Sequence, residues 1–332
     1  DEEWAQGIGT GPYSLVNFEP GVRTETKRNP NYFKEGKPYF DEVETLNVQD
    51  GVARTAALES GAVDYIDTPP LKTLHLLAKR EGIVIREVPS NVHYTFPMRM
   101  DAAPYDNQDV RTALKLAMDR EAILKRILGG HGYIGNDHPI GKGYKYHHAD
   151  LPQRTYDPEK AKWHLKQAGH DRLPIKIWAA DMYDGGVDAA VLFKEQSAKA
   201  GIDMEILQVP TDGYWSEIWN VKPFCVSYWN ARPTEDLMLT IAFHSSSAWN
   251  ETNWKHERFD SLLVQARGEL DEAKRRGMYY ELQEILHNEG GLLAPVFQNQ
   301  VLGISSKVHV PEKIAGHYGN DGNRNHERWW FV

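Results

Sequence analysis

Residues 11–28 alternate as a β-hairpin does: Tyr13, Leu15 and Phe18 lead into Glu19-Pro20-Gly21, and 22–28 return. A further short strand is expected at 43–48. Asp50 then caps a helix in which Val52, Ala56 and Ala57 recur at helical spacing, and Gly61 ends it. A strand at 63–66, a helix at 71–79 and a strand at 83–88 follow. This β-α-β-α-β rhythm predicts an α/β lobe with a mixed sheet.

After 91–100 the period lengthens. Asn107 or Asp109 starts a helix with Val110, Ala113, Leu114 and Ala117 on one face; Asp119-Arg120-Glu121 restarts it and Gly129-Gly130 stops it. Asp157-Pro158-Glu159 is a helix start with Asp as N-cap and Pro in the first turn, closed by Gly169. A clear alternation comes next: strand 173–179, helix 187–200, strand 202–209, helix 214–219, strand 224–229. It predicts a parallel three-strand core with covering helices, the second lobe. A charged helix at 271–288 turns Met278, Leu282, Ile285 and Leu286 inward, and 294–304 is extended and crosses back toward the first lobe.

The 332 residues suffice for two domains. A net charge of -9 with no dominant basic face argues against nucleic acid as a partner. No run approaches the ~20 apolar residues that cross a bilayer. No basic start followed by an apolar stretch marks an export signal. The lone Cys225 forms no internal disulfide, which fits an exported or a cytosolic protein equally. Ten Trp and sixteen Tyr change the picture more. Tyr214, Trp215, Trp219, Tyr228, Trp229, Trp249 and Trp254 crowd one stretch, either as core fillers or as rings lining a ligand cleft.

Three early blocks carry a family likeness: Gly9-Thr10-Gly11-Pro12-Tyr13-Ser14-Leu15-Val16, Arg28-Asn29-Pro30-Asn31-Tyr32-Phe33, and the run from Asp50-Gly51-Val52-Ala53-Arg54 to Gly61-Ala62-Val63-Asp64. Later, Asp106-Asn107-Gln108-Asp109-Val110-Arg111, Ala117-Met118-Asp119-Arg120-Glu121 and Tyr156-Asp157-Pro158-Glu159-Lys160-Ala161 continue it. In this order the chain resembles the extracellular solute-binding proteins of family 5, the periplasmic receptors of peptide, opine and nickel ABC importers. The resemblance implies an α/β fold of the two-lobed periplasmic-binding-protein type, with mixed sheets flanked by helices and a ligand cleft between the lobes. The first lobe would be 1–98 plus 304–332, partial and discontinuous, and the second 99–303. It also implies that the chain is the C-terminal portion of a longer, exported receptor. That receptor would be a periplasmic monomer taking a small-molecule or peptide ligand to an inner-membrane ABC permease, without a cofactor.

Ligands of open α/β lobes sit beyond the C-terminal ends of strands. Two such ends are rich in candidates: Trp178-Ala179-Ala180-Asp181-Met182-Tyr183 and Tyr228-Trp229-Asn230-Ala231-Arg232. By the family's pattern both line the cleft, with Trp215, Tyr228 and Trp229 supplying rings and Tyr183, Asn230 and Arg232 supplying hydrogen bonds. Peptide-binding members place an ammonium-holding Asp three positions after such a Trp. Here Arg232 stands there, and its planar fork suits a carboxylate or phosphate. An Arg232 paired with Glu235 or Asp236 on the surface is the competing structural reading. Asn136 and His138, in Gly135-Asn136-Asp137-His138-Pro139-Ile140, offer further hydrogen bonds where family members run a loop past the ligand, although the segment also reads as an ordinary turn.

Enzymatic chemistry finds little support. There is no Gly-x-Ser-x-Gly turn and no phosphate-binding glycine loop, since Gly7-Ile8-Gly9-Thr10-Gly11 runs into Pro12 and a strand. His147-His148 belongs to a solvated loop rather than a metal site. Glu2-Glu3 and Asp271-Glu272 read as solvated or capping acids. Two alternatives stand beside transport: a hydrolase using Asp137 and His138 on a binding-protein scaffold, and a receptor that reports its liganded form to a membrane sensor.

Overall fold

The computed structural model describes residues 8–332, so Glu2-Glu3 and Gly7 lie outside the described residues. The chain divides into two compact units. One joins the described residues up to Val88 with Gln300–Val332, and the other is Pro89–Asn299.

In the first unit β1 (Tyr13–Glu19), β2 (Arg23–Arg28) and β3 (Glu42–Leu46) form an antiparallel three-stranded sheet. Gly21 makes the first turn at φ 73°, where a side chain would be strained. Asp50 caps α1 (Gly51–Glu59) by accepting the Ala53 N–H at 2.7 Å. After β4 (Tyr65–Ile66), the helix expected at 71–79 is broken into a 3₁₀ turn, Leu71–Thr73, and one α turn, α2 (Leu74–Leu77). Leu58, Ile66 and Leu77 make a small core there, each side chain contributing roughly 1.5–3 kcal/mol.

The strand expected at 83–88 is far longer: β5 runs Ile83–Pro97 and carries the chain into the second unit. There Asn107 caps α3 (Gln108–Leu116) and Asp119 caps α4 (Arg120–Arg126); β6 (Gly132–Ile134) and α5 (Pro158–Gln167) follow. β7 (Leu173–Ala179) and β8 (Ile202–Gln208) pair in parallel across α6 (Gly186–Ala198), as the alternation requires. The third parallel strand does not form. Beyond α7 (Tyr214–Glu217) the chain makes one parallel bridge, Trp178 to Cys225. Its continuation, β9 (Ser227–Trp229), then pairs antiparallel with β5. Alternation identifies a strand but not its partner, and β5 supplied the free edge.

Two further helices, α8 (Glu235–Phe243) and α9 (Glu257–Gly268), escaped the sequence reading. With α10 (Glu272–Glu289) they enclose the larger core around Met238, Leu239, Phe259, Leu263, Leu282 and Leu286. β10 (Leu292–Leu293) pairs with β5, and β11 (Val296–Ser305) pairs with β6 in this unit. The end of β11 pairs with β4 in the first unit, where Leu302, Ile304 and Trp329 form a second small core. Among the described residues no helix is long and apolar enough to cross a membrane.

Candidate ligand-binding site

The pairing of β9 on β5 organises the second unit's most unusual surface. His93 faces Trp229, Tyr94 faces Tyr228 and Thr95 faces Ser227. Side chains alternate along strands, so His93, Thr95, Ser227 and Trp229 share one face while Tyr94 and Tyr228 share the other.

On the tyrosine face the rings run in series. Tyr183 lies 3.8 Å from Tyr94 and 5.9 Å from Tyr228, and Trp215 lies 5.8 Å from Tyr228, all between ring centroids. Tyr94 donates to the Asp184 carbonyl at 3.0 Å. The Tyr183 hydroxyl is buried without a partner, and burial pushes its pKa well above the ordinary value. Trp215 keeps 46% of its surface exposed, so this row is open at one end. The structure thus sets Tyr228, from one of the two strand ends, between Tyr183 of the other and Trp215 of α7.

The other face holds the group that sequence reasoning missed. Glu251 is buried at 1% exposure, and its Oε2 accepts the Trp219 indole N–H at 2.6 Å. Burial raises its pKa to about 7, while the polar groups of Trp219, Trp229, Thr95 and Ser227 pull the other way. Its Oε1 closes no hydrogen bond. Neither do the buried Trp229 Nε1, Thr95 Oγ1, Ser227 Oγ and His93 Nε2 of the same face. Trp219 and Trp229 turn their indole N–H edges toward Glu251, and with Trp249 they pack with ring centroids 6.1–6.3 Å apart. Trp249 is 51% exposed. The loop is held by Asn250, whose amide donates to the Trp254 carbonyl at 2.8 Å, and by Met100, whose N–H donates to the Thr252 carbonyl at 2.8 Å. The aromatic crowding between 214 and 254 was a visible signal; Glu251 itself sits in a loop with no periodicity to mark it.

Arg232 leaves β9 over the Trp229 ring, its guanidinium carbon 5.3 Å from the centroid. Its Nη1 donates to the Asn230 and Ala231 carbonyls at 2.8 and 3.2 Å, and its backbone N–H donates to the Tyr144 hydroxyl at 2.9 Å. The competing surface pairing with Glu235 or Asp236 does not occur. Glu235 accepts the Tyr146 N–H at 2.7 Å, and Asp236 pairs with Arg267 at 3.1 Å. Among the described residues Arg232 has no carboxylate partner, and Asn230 beside it is exposed.

Asn136 and His138 are placed differently. Asn136 is buried and engaged: its amide donates to the Pro152 carbonyl at 3.1 Å, and its Oδ1 accepts the Arg154 N–H at 2.9 Å. Asp137, at φ 59°, binds Arg120 through both oxygens at 2.7 Å and Arg154 at 2.9 Å. His138 Nδ1 accepts the Ile140 N–H at 3.3 Å, and burial lowers its pKa to about 3. Turn chemistry therefore governs this segment, and the hydrolase reading loses its Asp137–His138 pair because the carboxylate is committed to arginines. His147 and His148 are half-buried rather than solvated: His147 Nδ1 bonds the Ile140 carbonyl at 2.8 Å, and His148 stacks on Tyr280. Asp271 caps α10 as expected. Among the described residues no group of three or more His, Cys, Asp or Glu could hold a metal ion.

An α/β protein of two units, with aromatic and polar side chains gathered on paired strands, carries the residue types that line small-molecule sites. The chain belongs to the bacterial extracellular solute-binding proteins of family 5; residues 1–251 match the family's middle region, described as "Bacterial extracellular solute-binding proteins, family 5 Middle". It is 26% identical over 315 residues to the glutathione-binding protein GsiB of Salmonella choleraesuis (strain SC-B67), across 91% of this chain and 61% of that protein. The chain thus spans about three fifths of the length of this curated relative. Among solved structures, NikZ from Campylobacter jejuni in complex with Ni(L-His) superposes with TM-score 0.89 at 20% identity, over 99% of this chain and 70% of NikZ. The periplasmic binding protein DppA from Helicobacter pylori, in complex with the peptide STSA, gives 0.84 at 22% identity, over 97% and 63%. These likenesses show the fold, that of the two-lobed periplasmic binding proteins.

Proposed function

We propose that this chain is part of the periplasmic substrate-binding component of an ABC importer, capturing a small polar solute of peptide, opine or sugar-like class and delivering it to a membrane permease. Membership of family 5 supports the role, since relatives with the same fold bind a peptide or a metal–histidine complex in their solved complexes. The single observation that carries the site is the β5–β9 pair, which sets Tyr228 beside half-exposed Trp215 on one face and gathers buried polar groups around Glu251 on the other. Capture would be non-covalent and coupled to closure of the two lobes, 1–98 plus 304–332 against 99–303. Tyr183, Trp215, Tyr228 and Trp229 would give stacking area, and Arg232 with Asn230 would orient an anionic or hydroxylated group.

The test begins with thermal-shift measurements on the purified chain against dipeptides, tripeptides, opines and oligosaccharides. Uptake of the labelled hit is then followed in cells lacking the gene. A saturable shift and lost uptake are expected. Uptake that continues unchanged in the deletion strain overturns the delivery role, and no shift with any solute overturns capture by this chain.

A further inference from the structure

Arg232 stands in the turn between β9 and α8, past the last ladder pair of β9, His93 with Trp229. One side chain from a distant segment holds it there by its backbone. Tyr144 is 7% exposed; its hydroxyl donates to the Arg232 carbonyl at 2.9 Å and accepts the Arg232 N–H at 2.9 Å. A phenol has one O–H to give and lone pairs to receive, so a single oxygen uses both roles on one residue.

Tyr144 is itself anchored on either side. The segment 140–148 runs as a strap from β5 to α10 within the second unit. Gly143 donates its N–H to Asn91 Oδ1 at 3.3 Å, and a Cβ added at Gly141 would collide with the Tyr133 hydroxyl and the same Asn91 oxygen. Beyond Tyr144, the Tyr146 N–H donates to Glu235 Oε1 at 2.7 Å, at the start of α8. The His148 N–H then donates to Gln283 Oε1 at 2.9 Å on α10. The hydroxyl that the strap presents is therefore a fixed reference for the turn.

What the reference controls is the guanidinium. Nη1 is taken by the Asn230 and Ala231 carbonyls, and the guanidinium carbon lies 5.3 Å from the Trp229 centroid. The Nε–Nη2 edge is left, and such an edge meets a carboxylate through two parallel hydrogen bonds. Arg232 is half-buried with exposed Asn230 beside it, so a solute can reach that edge. A two-point contact is directional. It separates acid from amide only while the backbone behind it keeps one orientation.

We infer that Tyr144 is a positioning residue for Arg232: through the two backbone bonds of one hydroxyl it sets the guanidinium edge that selects a solute carboxylate. This deepens the solute-capture reading and rests on it, and on the place of Arg232 within it.

The test is calorimetry of glycylglycine and glycylglycinamide on the intact chain, in the wild type, Tyr144→Phe, Arg232→Gln and the double variant. Tyr144→Phe removes one oxygen and keeps the ring. It is expected to weaken the acid about fivefold or more and the amide less than about twofold, and to add nothing to the loss in Arg232→Gln. A tyrosine that only supports the fold would weaken both ligands alike, with or without Arg232. Asn91→Ala releases Gly143 and leaves the hydroxyl in place; it should bias the pair the same way and keeps the test decisive if Tyr144→Phe does not fold. The inference is overturned by equal losses for acid and amide, by acid binding that is unchanged in the variant that folds, or by losses that add in the double variant. An acid preference that Arg232→Gln abolishes and Tyr144→Phe leaves intact sinks the positioning role and keeps solute capture. A wild type that binds neither dipeptide sinks both.

Discussion

Glu251 accepts the Trp219 indole N–H at 2.6 Å on one carboxyl oxygen and leaves the other unpartnered, in a position with 1% exposure. A group so placed costs folding free energy whenever it is ionised, and that cost is measurable.

Burial raises the Glu251 pKa from 4.5 to about 7. The stability tied to its retained proton is fully present below pH 4.5 and is lost as pH rises through about 7. The loss amounts to roughly 3 kcal/mol. Glu251→Gln removes the titration, so urea denaturation at pH 5 and pH 8 should show a smaller pH difference in the variant. An equal difference in both proteins contradicts the assignment.

Asp137 behaves oppositely. Arg120 and Arg154 hold its carboxyl well below the usual carboxylate range despite burial. Its contribution is present above the unfolded value of 3.8 and is lost only as pH falls toward the folded one. Asp137→Asn keeps the turn geometry but strands the buried Arg120 guanidinium, at a cost of about 3–5 kcal/mol by chemical denaturation. A cost below about 1 kcal/mol would show that water reaches the pair.

Arg232 stacks on Trp229 and bonds only carbonyls of its own turn, which leaves its remaining N–H groups available to a ligand carboxylate. Arg232→Gln should change stability by no more than about 1 kcal/mol. Calorimetry should show carboxylate-bearing solutes binding about tenfold or more weaker, with their uncharged amides unaffected. Equal losses for acid and amide would mean that Arg232 only supports Trp229.

Gly135 lies against the link between β10 and β11, where an added Cβ would collide with the Ala294 carbonyl. Gly135→Ala is expected to destabilise by about 2 kcal/mol or more, because the neighbour is backbone and cannot turn aside. A thermal midpoint within error of the wild type would show that the segment shifts freely.

Local chemistry made much of the fold readable. Asp50 and Asp157 cap the helices they were expected to cap, Asn107 rather than Asp109 caps α3, and Asp119 and Asp271 cap α4 and α10, because a short acceptor side chain satisfies the first free N–H groups wherever it stands. β7 and β8 were legible through their alternation. The helix expected at 71–79 forms only as a 3₁₀ turn and one α turn, and α8 and α9 carry no clear local signal: α8 is apolar nearly all round and α9 begins at a His cap.

The sequence by itself determined the caps, the turns, the parallel β7–β8 unit and the family, since each depends on neighbours a few residues apart or on motifs in order. Only the tertiary structure decided that β9 leaves that unit to pair with β5, because strand pairing is a choice between distant edges. That choice set Thr95 beside Ser227 and turned both toward the carboxyl of Glu251, some 24 and 156 residues away in sequence. No local pattern encodes such a meeting; it arises when burial folds the loop after α8 back over the sheet.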